Sequence, residues 1–424
     1  MKYLDFIDLK YKPAKTDIIC EFFIEPQGSI REAAGAVASE SSIGTWTEVT
    51  TMQPGIEKLA AKVFSINGNI VKIAYPYDLF EPDNIPQILS SIAGNIFGMK
   101  NIKNLRLEDI HFPEKLIKHF SGPLYGVEGI RKMLHVHSRP LVGTIVKPKL
   151  GLDAKQHAEV AFQAWLGGCD IVKDDENLSD QKFNHFQERV LATLRARDLA
   201  EKVTGERKIY MPNVTAETRE MVKRVGFVKK SGGEYVMIDI ISSGWSALQT
   251  LADYNKISRR VLHAHRAGHG MLTRNKKHGM SMLVIAKLCR LIGLDQLHIG
   301  TAIGKMEGPS RDVLAIDQEI EKMCIYKNPA SHVLEQKWFH LKPMFAVCSG
   351  GLHPGHVPFL IKHLGKNIIM QFGGGIHGHP KGTAEGARAV RQAVDATMRG
   401  ISLEEYAKKN SELREALDFF EKVK

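Results

Sequence analysis

At 424 residues the chain exceeds one typical hydrophobic core, so two domains are the default expectation. Hydrophobic residues make up 43% and charged residues 25%, and no apolar run approaches the roughly 18 residues of a membrane-spanning helix. The formal net charge of +11 is dispersed among acids, without a basic tail, RNP motif or helix-turn-helix pattern, which argues against nucleic acid and against a membrane role. Such a surface instead helps to draw in a multiply charged anion. The opening MKYLDFIDLKYKPAK has no signal-peptide apolar region, so a cytoplasmic protein is expected. Five scattered cysteines without a C-x-x-C pair support neither a disulfide framework nor a thiolate zinc site.

In chain order, DIICEFFIEP, NIVKIAYP and PQILSSIAGNIFG predict strands and helices of a smaller α+β domain over residues 1–122, ending at the turn-rich SGPLYG. From 123 to 424 short apolar runs alternate with amphipathic stretches. The runs are LVGTIV (141–146), CDIVK (169–173), KIYMPN (208–213), YVMIDI (235–240), RRVLHAH (259–265), QLHIG (296–300), MFAVCS (344–349) and NIIMQF (367–372). AKQHAEVAFQAWLGG has helical spacing, and HGMSMLVIAKLCRLIGL is apolar around most of its circumference, as a buried helix would be. Eight strand–helix alternations predict an α/β fold in which a C-terminal (β/α)8 TIM barrel follows the smaller domain. The rival open doubly wound sheet lacks a G-x-G-x-x-G after its first strand. The final SLEEYAKKNSELREALDFFEKV reads as one or two charged amphipathic helices outside the barrel.

Strand C-terminal ends face the active site in such a barrel, so polar residues there are informative. The second strand ends Lys173-Asp174-Asp175-Glu176. Strand alternation points Lys173 and Asp175 one way and Asp174 the other, while Glu176 turns back in. Clustered acids repel and call for a compensating cation, either a hard metal with oxygen ligands or lysines around a solvated loop. Lysine ligates a metal only when its neutral amine is converted to an anion, for instance by CO2 to a carbamate. Lys147 and Lys149, spaced by two at the end of the first strand, share a face.

The fifth strand ends His263-Ala264-His265-Arg266, followed by His269. A zinc reading of H-x-H lacks a third convergent ligand, whereas His265 as acid or base and Arg266 as a phosphate fork use the pair better. His298 ends the sixth strand, and glycines around Lys305 suit a hinged lid that lays a charge over substrate. The seventh strand runs into Ser349-Gly350-Gly351 and the eighth into Gly373-Gly374-Gly375, where bare backbone N–H groups can approach phosphate. Together these features imply a substrate with two phosphates around one metal.

Eight motifs in this order resemble the large subunit of ribulose-bisphosphate carboxylase over essentially the whole chain. They are ESSIGTWTEV (40–49), GNIFGMK (94–100), TIVKPKLGL (144–152), GGCDIVKDDENL (167–178), HAHRAGH (263–269), QLHIGTAIGKMEG (296–308), SGGLHPG (349–355) and QFGGGIHGHP (371–380). The compact length, SIAGNIFGMK and DQLHIGT resemble the archaeal form III branch.

By position, the resemblance implies that Lys173 is carbamylated by activating CO2, binds Mg2+ with Asp175 and Glu176, and acts as the base that starts enolisation of ribulose 1,5-bisphosphate. The implied reaction is carboxylation, with O2 as a competing co-substrate, to 3-phosphoglycerate through an enediolate. Lys147 is implied as the late proton donor, supported by Lys149 and His265, and Lys305 as the lid residue that orients CO2. One phosphate falls to Gly373, Gly374, Thr45 and Trp46, and the other to Arg266, His298 and Ser349 with the Gly350-Gly351 turn. Glu40, Thr45, Trp46 and Asn95 complete the barrel mouth of a neighbouring subunit in this family. That implies a homodimer with shared active sites, open to assembly as a ring of dimers, without a small subunit.

Three departures stand out: Gly268 where HRAMH is usual, Cys348 before SGG, and Ile376-His377 in place of a frequent Thr-Leu. None is a transferred catalytic group. A carboxylase-like protein that enolises a related phosphorylated sugar without fixing CO2 is one rival. Such proteins replace several catalytic positions, and here all of them match. A non-catalytic assembly protein is the other rival, opposed by the complete set of active-site groups.

Overall fold

The computed structural model describes residues 1–301, 303 and 310–422. Lys305 therefore lies outside the described residues. By contact the chain divides into two compact units: Met1–Gly122 with Gly268–Ile292 and Lys322–Leu341, and Pro123–Ala267 with Gly293–Glu321 and Lys342–Lys424.

The first unit is built on an antiparallel sheet of β1 (Ile18–Pro26), β2 (Lys62–Asn67), β3 (Ile70–Tyr75) and β4 (Ile102–His111). β1 pairs with β3 on one side and β4 on the other, and β2 forms the far edge beside β3. The β2–β3 hairpin turns on Gly68-Asn69, with Gly68 at φ +56, a left-handed backbone open to glycine without penalty. The two-residue strand Gly279–Met280 adds to β4 in parallel. Every residue of the helix Met282–Ile292 is buried, which accounts for its apolar circumference. The two cations inside it need partners: Lys287 Nζ lies 2.7 Å from Asp109 Oδ1 of β4, both groups fully buried, and Arg290 Nη1 donates to Lys322 O at 2.7 Å. That helix, expected among the barrel helices, packs with β4 in this unit.

The second unit contains the eight expected strands: β5 (Leu141–Ile145), β6 (Ile171–Lys173), β7 (Ile209–Met211), β8 (Tyr235–Asp239), β9 (Val261–His265), β10 (Gln296–His298), β11 (Phe345–Ser349) and β12 (Ile368–Phe372). All neighbours are parallel, and β12 pairs with β5. The ring closes between β7 and β8, where Met237 N donates to Pro212 O at 2.9 Å and Val214 N to Met237 O at 3.0 Å. The inward residues Leu141, Ile171, Ile209, Tyr235, Met237, Val261, Phe345, Val347 and Ile369 form one core. Ile130 and Leu134 of helix Gly126–Leu134 join this core against the strands' first residues, plugging the N-terminal end. Burial of each such side chain contributes about 1.5–3 kcal/mol.

The connecting helices start and stop where the sequence signals. Asp153 caps Ala154–Leu166 in a capping box, its Oδ1 accepting from Gln156 N at 2.8 Å. Gly205 at φ +69 ends Phe186–Thr204. The C-terminal segment forms two helices, Leu403–Ala407 and Ser411–Glu421. Among the described residues no helix is long and apolar enough to cross a membrane.

Candidate active site

The C-terminal ends of the barrel strands carry the ionisable residues. At the end of β6, alternation separates the two neighbouring aspartates. Asp174 turns outward into a closed hub, accepting from Arg189 Nε (3.0 Å), Tyr210 OH (2.7 Å) and Asn213 N (2.9 Å). Burial would raise its pKa, but the Arg189 guanidinium and His157 outweigh it and hold the carboxyl well below the usual range. Asp175 points inward, where Lys147 Nζ of the β5 loop donates to its Oδ2 at 2.7 Å. Lys149, also on that loop, donates to Asn177 Oδ1 at 3.1 Å.

Lys173 is only 1% exposed, and its amine donates to two uncharged acceptors, the Asp174 carbonyl oxygen (2.8 Å) and the Met237 sulfur (3.2 Å). Burial lowers its pKa against the opposing pull of Glu176 and Asp175, favouring the neutral amine that reacts with CO2. Glu176 is half-buried. Desolvation pushes its pKa up, while His265 and Lys173 pull harder and bring it below the usual value.

His265, at the end of β9, is oriented by Asp239 at the end of β8, with Nδ1 2.7 Å from Asp239 Oδ1. Its Nε2 lies 3.7 Å from Glu176 Oε2. Beside it runs a buried chain of polar groups. Gln296 Oε1 meets His263 Nδ1, His263 Nε2 meets His298 Nε2, and His298 Nδ1 meets Ser349 Oγ, each at 2.8 Å. Burial depresses His263 to about 3 and His298 well below its ordinary value, so both are neutral. Arg266, lowered to about 10 by burial, occupies the space left by Gly300, where an added Cβ would sit 2.9 Å from its Nη2.

Two glycine loops complete the mouth. Gly350 and Gly351 follow β11 at φ +124 and +71. After β12, a Cβ at Gly373 would contact Lys147 Cε at 3.4 Å, whereas one at Gly374 would meet nothing within 4 Å. Lys147 thus reaches both Asp175 and the Gly373 loop. The second unit thereby brings together Lys147, Lys173, Asp175, Glu176 and His265, with His298 and Ser349 joined through their hydrogen bond. Glu40, Thr45, Trp46 and Asn95 belong to the first unit: Glu40 ends the helix Ile30–Glu40, Asn95 opens a short 3-10 turn, and Trp46 is 81% exposed.

Sequence reasoning missed Asp239, Asn213, Gln296 and the Asp174 hub. Asn213 closes the third strand run and Asp239 is the last polar residue of the fourth, at the end of β8, so the strand-end rule applied elsewhere would have singled them out. The departures also have structural reasons. Gly268 sits at φ +80, a left-handed backbone suited to glycine. His377 Nε2 lies 2.9 Å from Ile145 O, tying the β12 loop to the end of β5. Cys348 is fully buried, and burial pushes its thiol pKa up.

Among the described residues no three His, Cys, Asp or Glu side chains form a metal-binding group. With the Asp239 carboxylate engaged by His265, the mouth leaves Asp175 and Glu176, and a third oxygen donor would come from Lys173 as a carbamate. The burial of that amine and its bonds to uncharged acceptors fit such a conversion.

A closed parallel barrel with this constellation at its C-terminal mouth defines an α/β-barrel enzyme. The family model for the ribulose bisphosphate carboxylase large chain catalytic domain matches residues 126–420, and the model for its N-terminal domain matches residues 5–116. A ribulose bisphosphate carboxylase from Methanosarcina mazei is 52% identical over 419 residues, covering 97% of this chain and 98% of the relative. Its counterpart from Methanocaldococcus jannaschii is 48% identical, covering 98% of this chain and all of the relative.

Among solved structures, octameric ribulose-1,5-bisphosphate carboxylase/oxygenase from Pyrococcus horikoshii, in complex with sulfate, superposes with a TM-score of 0.94 at 45% identity, covering 100% and 98% of the two chains. Dimeric archaeal Rubisco from Hyperthermus butylicus gives 0.93 at 46% identity, covering 98% of each chain. The chain belongs to the ribulose bisphosphate carboxylase large-chain family, and the activity it carries is that family's carboxylase activity.

Proposed function

We propose that the chain carboxylates ribulose 1,5-bisphosphate with Mg2+ held by Lys173 as its CO2 carbamate, Asp175 and Glu176. The observation that carries this reading is the buried Lys173 amine, hydrogen-bonded only to uncharged acceptors beside two carboxylates. When bound, the metal would supply electrostatic stabilisation of charge developing on the substrate's oxygens.

The protein's own groups supply the rest. The Lys173 carbamate takes the proton that begins enolisation, with His265 held in one orientation by Asp239 to share proton movement. Lys147, placed between Asp175 and the Gly373 loop, donates a proton late in the sequence, and Lys149 adds positive charge. Lys305 is assigned to CO2 orientation by its place in the motif.

Gly373 and Gly374, with Thr45 and Trp46, would hold one phosphate. Arg266, His298 and Ser349, with the Gly350-Gly351 turn, would hold the other. Open space at Gly374 supports the first assignment, and the partly desolvated Arg266 guanidinium supports the second. Glu40, Thr45, Trp46 and Asn95 are proposed to serve a neighbouring subunit's barrel, in a homodimer or a ring of dimers of the archaeal form III type. The exposed Trp46 ring and the dimeric and octameric archaeal relatives support that assembly. O2 is the proposed competing co-substrate.

The test supplies ribulose bisphosphate, Mg2+ and labelled CO2 to folded protein under anaerobic conditions. Labelled 3-phosphoglycerate is expected, and its absence would refute the assignment.

A further inference from the structure

The terminal helix Ser411–Glu421 lies outside the barrel, and the chemistry described above does not use it. It packs mainly on the helix Thr383–Met398, where Gln392 Nε2 donates to Glu412 Oε2 at 3.0 Å, but it also reaches the segments that follow both glycine loops. The Phe420 ring stacks on the His353 imidazole, with centroids 5.2 Å apart and planes at 17°. His353 is two residues beyond Gly351 and stiffens its own turn: its Nδ1 accepts from Gly355 N at 3.2 Å, and its N–H donates to His356 Nδ1 at 3.4 Å.

On the other loop, His379 Nδ1 accepts from Lys381 N at 3.1 Å, leaving Nε2–H to donate to the Glu412 carbonyl of the same helix at 3.1 Å. Lys381 Nζ also pairs with Glu415 at 2.6 Å. The loops themselves touch without slack, since a Cβ at Gly375 would lie 2.0 Å from Leu352 O and 2.9 Å from His353 Cα. A shift of His353 would therefore be passed to Gly373–Gly375.

We infer that the helix Ser411–Glu421 is a brace that sets the spacing of the two phosphate loops, with Phe420 as its positioning residue. The inference rests on the assignment of those loops to phosphate made above. The brace acts on binding of the bisphosphate and not on the reacting carbons, because Phe420 and His353 pack behind the loops.

The experiment measures ribulose 1,5-bisphosphate binding to metal-free protein by calorimetry, together with KM and kcat of the activated enzyme. The variants are Phe420→Ala, Phe420→Leu, Phe420→Tyr and Gly374→Ala. Phe420→Leu keeps the apolar bulk, so it folds even where Phe420→Ala does not, yet it lacks the stacked ring. Both should weaken binding and raise KM about fivefold to tenfold with kcat within twofold, and Phe420→Tyr should restore wild-type values. Gly374→Ala fills phosphate space without a clash and should also weaken binding. Wild-type affinity in Phe420→Leu beside weakened Gly374→Ala would overturn the brace and leave the phosphate assignment standing. Unchanged affinity in both would overturn that assignment, and the brace with it. Equal losses of kcat and affinity in Phe420→Leu, unrescued by Phe420→Tyr, would also overturn the brace.

Discussion

Asp174 and Asp175 are adjacent, chemically identical and almost equally buried, yet their substitution by asparagine should have opposite consequences. Asp174→Asn preserves shape but removes the charge facing Arg189, which is itself fully buried and 3.0 Å away. Arg189 would keep its bonds to Asn184 O (3.0 Å) and Ser179 O (2.7 Å), so the loss is chiefly an uncompensated buried cation. Breaking one side of such a pair costs about 3–5 kcal/mol. At about 2–4 °C per kcal/mol for a domain of this size, the melting temperature should fall by roughly 6–20 °C.

In Asp175→Asn the amide oxygen can still accept from Asn177 N, 3.1 Å from Oδ1, and the lost partner, Lys147, is 34% exposed, so it can turn to water. The stability change should stay below about 1 kcal/mol while carboxylation is lost. Differential scanning calorimetry of the two variants under one buffer, paired with the labelled-CO2 assay, makes the comparison. If Asp174→Asn melts within about 2 °C of wild type, the hub does not hold a buried charge as argued.

Lys173→Ala should abolish CO2-dependent activation and the trapping of one CO2 per chain, and mass spectrometry that still finds a trapped carbamate would exclude the lysine's role. Gly300→Ala places a Cβ 2.9 Å from Arg266 Nη2 on a backbone at φ +96; it should cost about 1–2 kcal/mol and raise KM for the bisphosphate, and steady-state kinetics with an unchanged KM would separate Arg266 from substrate. His263, depressed to about 3, binds a proton in the unfolded chain well before the folded one, so its burial costs stability as pH falls. From pH 7 to 5 that cost should grow by about 2 kcal/mol, level off above pH 6.5, and shrink in His263→Gln, as read by denaturant midpoints across pH. Equal pH slopes in the two proteins would contradict it.

All eight barrel strands were legible as apolar runs because a parallel strand covered on both faces must be apolar almost throughout. The strand-end rule then picked out Lys147, Lys173, Asp175, Glu176, His265 and Arg266 without coordinates, because period-2 alternation decides which residues face inward. What local sequence does not encode is who sits opposite. That Asp239 orients His265, that Gln296 begins the His263–His298–Ser349 chain, and that Arg189 and Tyr210 neutralise Asp174 are pairings between different strands and helices. The same holds for Met282–Ile292: its period announces burial on all sides, but only the tertiary structure decides that it packs beside β4, with Lys287 against Asp109. Periodicity is a property of consecutive residues, whereas partner choice depends on chain closure over long separations, where packing and desolvation select one arrangement.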